Sequence, residues 1–246
     1  MPVPVFRGFF LVAAFFASTA IGLTDDKPKT GFVTASFKNA DGTTSPYVVF
    51  IPHDYDGKKE YPVILFLHGS GETKGGKKMP VEVGIGTAIK KQEKTFPFIT
   101  IIPQSEKRTW QASSGDAKRA LAILDEVTHS YKTDSHRIYL TGLSMGGMGT
   151  WSLAAAHPEK WAAIVPVCGT GDPKSAEKIK DIPTWTFCGD KDVAFLLNGT
   201  RNMVAAMKKS GGSPKYTEYP GVGHNCWDAA YAEKELFPWL AQQKKK

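Results

Sequence analysis

Cysteine is scarce in this chain. There are three, Cys168, Cys188 and Cys226, and no two of them form a C-x-x-C pair. The usual zinc and iron–sulfur ligand patterns are therefore missing, and no metal is expected. An odd count allows at most one internal bridge. Cys168 and Cys188 end segments expected to be neighbouring strands, so a bridge between them and buried free thiols both fit. No internal repeat or low-complexity linker divides the chain. After Leu23 no apolar run is long enough to span a bilayer. The lysines neither line one helix face nor alternate with aromatics, so the net charge of +7 reads as a solvated surface and no nucleic-acid partner is expected. A phosphate-binding loop is nearly spelled by Gly71–Lys77, but Lys78 stands where Ser or Thr must hold magnesium. Met79-Pro80 then breaks the helix that should follow.

What is present divides into a leader and a fold. Arg7 followed by the apolar stretch Gly8–Ala17 and the small residues up to Gly22 has the layout of an export signal over residues 1–22. Its removal would leave an exported protein, periplasmic or secreted. Residues 31–243 read as one domain, and Lys244–Lys246 as a basic tail.

Within that domain the pattern alternates. "FVTASF" and "PYVVFIP", joined by Asn39-Ala40-Asp41-Gly42, predict an antiparallel hairpin. "YPVILFLHG", "FPFITIIPQ", "RIYLTG", "AAIVPVCG", "TWTFCGD" and "KYTEYPG" read as further strands. Between them, helical spacing predicts helices over 116–131, from 146, over 175–180, over 201–212 and from 227. Strands written as continuous apolar runs and separated by helices predict a mostly parallel sheet covered on both faces. The longer connections, Ser70–Thr95 and Ser105–Gly115, leave strand C-terminal ends, where such sheets bind ligands. Only Gly169–Ile182 follows "IVPVC", which leaves no room there for a large cap domain.

Gly142-Leu143-Ser144-Met145-Gly146 matches G-x-S-x-G, with a strand before it and a helix after it. A serine on a sharp strand-to-helix turn needs neighbours without Cβ atoms, and the turn raises its hydroxyl above the sheet. Attack by that hydroxyl needs a base, and the base needs an orienting acid. Of six histidines, His224 lies in a glycine-rich loop between the last strand and the closing helix. The loop after the preceding strand offers Asp190 and Asp192. Serine, acid, histidine is the chain order of an α/β-hydrolase. A tetrahedral intermediate also needs two amide donors. Met145 would supply one, and Ser70 or Gly71 the other.

From about Ser45 to Leu240 the chain resembles exported carboxylesterase/phospholipase-like α/β-hydrolases related to dienelactone hydrolase, polyhydroxybutyrate depolymerase and the catalytic domain of prolyl oligopeptidase. The motifs are "FLHGSGE", "IIPQ", "RIYLTGLSMGGMGTW", "KDIPTWTFCGDKD" and "YTEYPGVGHNCWDAAY". The resemblance implies an α/β-hydrolase fold and a serine hydrolase of carboxylic esters that needs no cofactor. It selects Asp192 as the acid, with Asp190 the alternative, and places Trp110 and Trp227 at the substrate cleft, with core packing the other reading of both. Gln104, just after a strand end, would contact the substrate or the loops around the acyl site. The partner would be a small-molecule or polysaccharide ester. The competing functions are a serine peptidase of prolyl-oligopeptidase type and a catalytically silent exported binding module. Cys188 and Cys226 depart from the family pattern, where histidine and serine are usual.

Overall fold

A computed structural model describes residues 29–245. The export signal expected over residues 1–22 lies outside them. Eight strands form one sheet: β1 (Gly31–Lys38), β2 (Thr44–Ile51), β3 (Tyr61–Leu67), β4 (Ile99–Pro103), β5 (Thr133–Leu143), β6 (Ala163–Val167), β7 (Trp185–Gly189) and β8 (Lys215–Tyr219). Their spatial order is β1-β2-β4-β3-β5-β6-β7-β8. β1 and β2 pair antiparallel in the expected hairpin, and β2 joins β4 antiparallel. From β4 to β8 every pairing is parallel.

Every residue of β3 is buried, and its alternating side chains feed two cores. Leu65 and Leu67 join α2 (Gly115–Ser130), α3 (Met145–Ala156), α4 (Ala176–Ile179) and α5 (Ala194–Lys209) on one face. Ile64 and Phe66 join α1 (Ile85–Lys91), α6 (Trp227–Ala232) and α7 (Leu236–Gln242) on the other. This is the mostly parallel sheet, covered on both faces, that the alternation predicts, and it has the α/β-hydrolase arrangement that the resemblance implies. Because β4 and β5 flank β3, the chain reverses its direction of travel across the sheet there. That switch opens a crevice at the strands' C-terminal ends.

Two helices differ from the sequence expectation. α1 lies inside the connection Ser70–Thr95, where its short length and the glycines at 84 and 86 hide the period. α5 begins at Ala194, seven residues before the predicted start at Arg201. Asn198-Gly199 reads as a break, yet Gly199 stays helical because Thr170 fills the place of its side chain. A Cβ there would meet Thr170 Oγ1 at 2.1 Å.

Candidate active site

β5 ends at Leu143 and α3 begins at Met145, so a single residue turns the chain from strand to helix. That residue, Ser144, has φ 54° and ψ −115°, a left-handed backbone that costs a non-glycine residue about 1–3 kcal/mol. The turn is tight enough to exclude side chains on its glycines. A Cβ on Gly146 would lie 1.8 Å from the Leu67 carbonyl oxygen, and one on Gly147 2.4 Å from that of Val167. These contacts press the start of α3 against the ends of β3 and β6. Ser144 is held from below by its own amide, which donates to Val167 O at 2.9 Å.

The loop after β8 brings His224 over this elbow. The Ser144 hydroxyl lies 2.8 Å from His224 Nε2. The other ring nitrogen, Nδ1, is 3.0 Å from each oxygen of Asp192. A carboxylate can only accept, so Nδ1 carries the proton and Nε2 is left to accept from the serine. Exposure is graded along the line: the imidazole is 38% exposed and the Asp192 side chain 0%. Asp192 is fixed further by the Val193 amide at 2.7 Å and by the Cys188 thiol at 3.8 Å. Trp227 stands edge-on to the imidazole, 5.4 Å between centroids.

Asp190 does not reach the imidazole. Its Oδ1 accepts from Gly221 N at 2.7 Å and so ties the acid loop to the turn leading into the histidine loop. Cys168, Cys188 and Cys226 are all free and buried, so there is no bridge between Cys168 and Cys188. Burial pushes the Cys188 thiol up to about 12.

Met145 opens α3, whose N-terminus carries the positive end of the helix dipole. Ser70 and Gly71 lie exposed in a 3-10 turn that runs to Glu72. Gly69 joins this turn to the elbow, for a Cβ on it would meet Leu143 Cδ1 at 2.8 Å. His68 anchors the turn from beneath. Its Nε2 accepts from Ser105 N at 2.9 Å while Nδ1 lies 2.6 Å from Gly69 O, which makes it a neutral imidazole protonated at Nδ1. Burial lowers its pKa to about 4. On the far side of that contact Asp116 receives Ser105 Oγ, the amides of Glu106 and Lys107, and Arg119.

Trp110 and Gln104 each take the second of the two places open to them, core packing and a loop beside the site. Trp110 is 1% exposed and does not line the cleft. Its indole packs where Gly149 lacks a side chain, and Nε1 donates to His68 O at 2.9 Å. Gln104 turns its amide to the neighbouring loop, donating to Glu72 O at 3.0 Å. Trp227 alone of the three stands beside the Ser144–His224 pair. Glu72, which closes the motif "FLHGSGE", and Asp116, which lies in no motif, organise the loops around the site, and the sequence assigns neither of them a role. Among the described residues no cluster of His, Cys, Asp and Glu is arranged to hold a metal.

Known proteins resemble this arrangement. The BD-FAE family model matches residues 49–162. NocK of Nocardia uniformis subsp. tsuyamanensis, an esterase by assignment, is 27% identical over 143 residues, 53% of this chain and 40% of its own. Acetylxylan esterase A of Emericella nidulans is 30% identical over 95 residues, 34% of this chain and 31% of its own. A thermostable esterase of known structure is 30% identical with a TM-score of 0.79, over 87% of this chain and 63% of that one. The chain therefore spans well under half the length of these two curated relatives. Eight strands in this order and these matches give the chain the α/β-hydrolase fold, with similarity to the BD-FAE family model and to esterases.

Proposed function

We propose that this chain is a serine hydrolase of carboxylic esters that works through an acyl-enzyme. The observation that carries the reading is the continuous contact from Ser144 Oγ through His224 to the buried Asp192. Ser144 attacks the ester carbonyl as His224 Nε2 takes its proton. Asp192 holds the imidazole in the tautomer that leaves Nε2 free, and steadies the positive ring that results. The same imidazole returns the proton to the departing alcohol. Water then repeats the sequence on the acyl-enzyme, releasing the acid and regenerating the serine. The Met145 amide and that of Ser70 or Gly71 receive the oxyanion in both halves.

Polysaccharide esters are the substrate class this reading favours. The exposed large apolar residues among those described are Met79, Val193 and Phe195. Met79 lies in the connection after β3, and Val193 and Phe195 lie at the start of α5 after β7, at the edge that carries Ser144 and Asp192. They suit the non-polar part of a bulky ester. The relatives named acetylxylan esterase support the same class. Export through residues 1–22 belongs to the proposal, since polymeric substrates are met outside the cell.

The test is hydrolysis of p-nitrophenyl acetate by purified protein, with Ser144→Ala as control, followed by a panel of acetylated, feruloylated and simple aliphatic esters. Turnover no faster than that of the Ser144→Ala protein would sink the proposal.

A further inference from the structure

The loop between β3 and α1 holds a buried acid that the proposed chemistry leaves unused. Glu72 ends the 3-10 turn begun by Ser70 and is only 7% exposed. Its Oε2 is enclosed and has no hydrogen-bond partner among the described residues. The side chain folds back on its own loop, so that a Cβ on Gly69 would lie 3.0 Å from Oε2 and 2.8 Å from Leu143 Cδ1. Glu72 thus shares the space beside Gly69 with the residue that precedes Ser144. Gln104 Nε2 grips the Glu72 carbonyl from the loop after β4.

An enclosed carboxyl with an unpartnered oxygen favours its neutral form. Burial pushes the pKa of Glu72 up, and this outweighs the Gly69 amide and Lys78, which favour the charged form. Lys78, on the same loop, is the charge that acts on it. Gln104 and Leu143, its neighbours from the loop after β4 and from the end of β5, are uncharged, and His68 at the end of β3 is neutral above about pH 4. A negative charge held here would also oppose the charge that forms on an oxyanion at the adjacent turn.

We propose that Glu72 is a positioning residue that works as a neutral carboxylic acid behind the oxyanion turn, keeping Ser70 and Gly71 set against Ser144 until it ionises. The inference rests on the ester-hydrolase reading. Glu72→Gln keeps the shape of the neutral acid and its lack of charge, whereas Glu72→Ala removes the side chain. With p-nitrophenyl acetate, wild-type kcat/KM carries a falling component as Glu72 ionises, above the ordinary carboxylate range. Glu72→Gln loses this fall and equals or exceeds wild type on the alkaline side of it. Glu72→Ala is about tenfold slower or worse throughout, as expected when an oxyanion donor is displaced. A falling limb that survives in Glu72→Gln, or a Gln variant as slow as the Ala variant at every pH, overturns the proposal.

Urea unfolding gives a readout that needs no substrate and no Ala variant. An acid whose proton affinity is raised by folding binds more protons folded than unfolded, so stability falls as pH rises. Wild type should therefore lose stability relative to Glu72→Gln from the ordinary carboxylate range upward, through the raised folded value. A pH-independent difference, with normal ester turnover, sinks Glu72 alone. No turnover by wild type, with the slope still present, sinks the hydrolase reading and the oxyanion role with it.

Discussion

Asp190 Oδ1 accepts a hydrogen bond of 2.7 Å from the amide of Gly221, while two residues further on Asp192 meets His224. Two neighbouring acids thus hold the same histidine loop in different ways, one by its backbone and one by its imidazole. Asp192→Asn should lower kcat by about 10⁴-fold, because the amide can no longer fix the tautomer. Asp190→Asn should keep most of the rate but lower stability by about 1 kcal/mol, the worth of one hydrogen bond. Kinetics and urea unfolding on the pair separate the roles, and a reversed pattern would make Asp190 the acid.

Ser144→Ala should lower kcat by about 10⁶-fold while the protein stays folded. A fluorophosphonate should label Ser144 in the wild type and leave the variant unlabelled. Labelling of the variant would point to another nucleophile.

Gly146→Ala should be among the most damaging substitutions in the chain. Its methyl would sit 1.8 Å from the Leu67 carbonyl, with backbone on both sides and no side chain able to move away. A loss of about 2 kcal/mol or more is expected. A melting temperature equal to wild type would mean that α3 can shift off the sheet.

The three cysteines should be silent towards a thiol reagent such as DTNB in the native protein, since all are buried and free. In denaturant all three should react without prior reduction. Rapid native labelling at Cys226, two residues from His224, would show that the histidine loop opens readily.

His68 sets an acid limit on stability. Its folded pKa of about 4 lies below the unfolded value of about 6.5, so the unfolded chain binds more protons between them. Stability is full above the unfolded value and falls, by about 3 kcal/mol in all, as pH drops towards the folded one. His68→Gln should flatten this part of the curve. An unchanged slope would assign the acid limit to other groups.

The sheet was legible because continuous apolar runs such as "VILFL" can be buried on both faces only inside a parallel sheet. Ser144, His224 and an acid at Asp190 or Asp192 were legible as a set because chain order and strand ends are written into the sequence, whereas the choice of Asp192 came from the family resemblance. Burial within loops was not. Trp110 sits in a connection whose sequence leaves cleft lining and core packing both open, and only the missing side chain of Gly149, thirty-nine residues away, makes room for it in the core. Glu72 was hidden for the same reason: whether a loop carboxyl meets water or a neighbouring strand end depends on contacts from other parts of the chain. α1 and the first turns of α5 failed on glycines, whose low helix propensity is overridden by packing.

β8 is the last strand of the sheet, paired on one side only, and the loop that follows it carries His224. The proposed nucleophile is anchored in the middle of the fold, and its proposed proton acceptor at the rim. Edge strands are where local opening costs least. Heating should therefore detach the base before the central strands separate, so that activity disappears reversibly some degrees below the cooperative melt. The upper working temperature of this protein would then be set by a single strand.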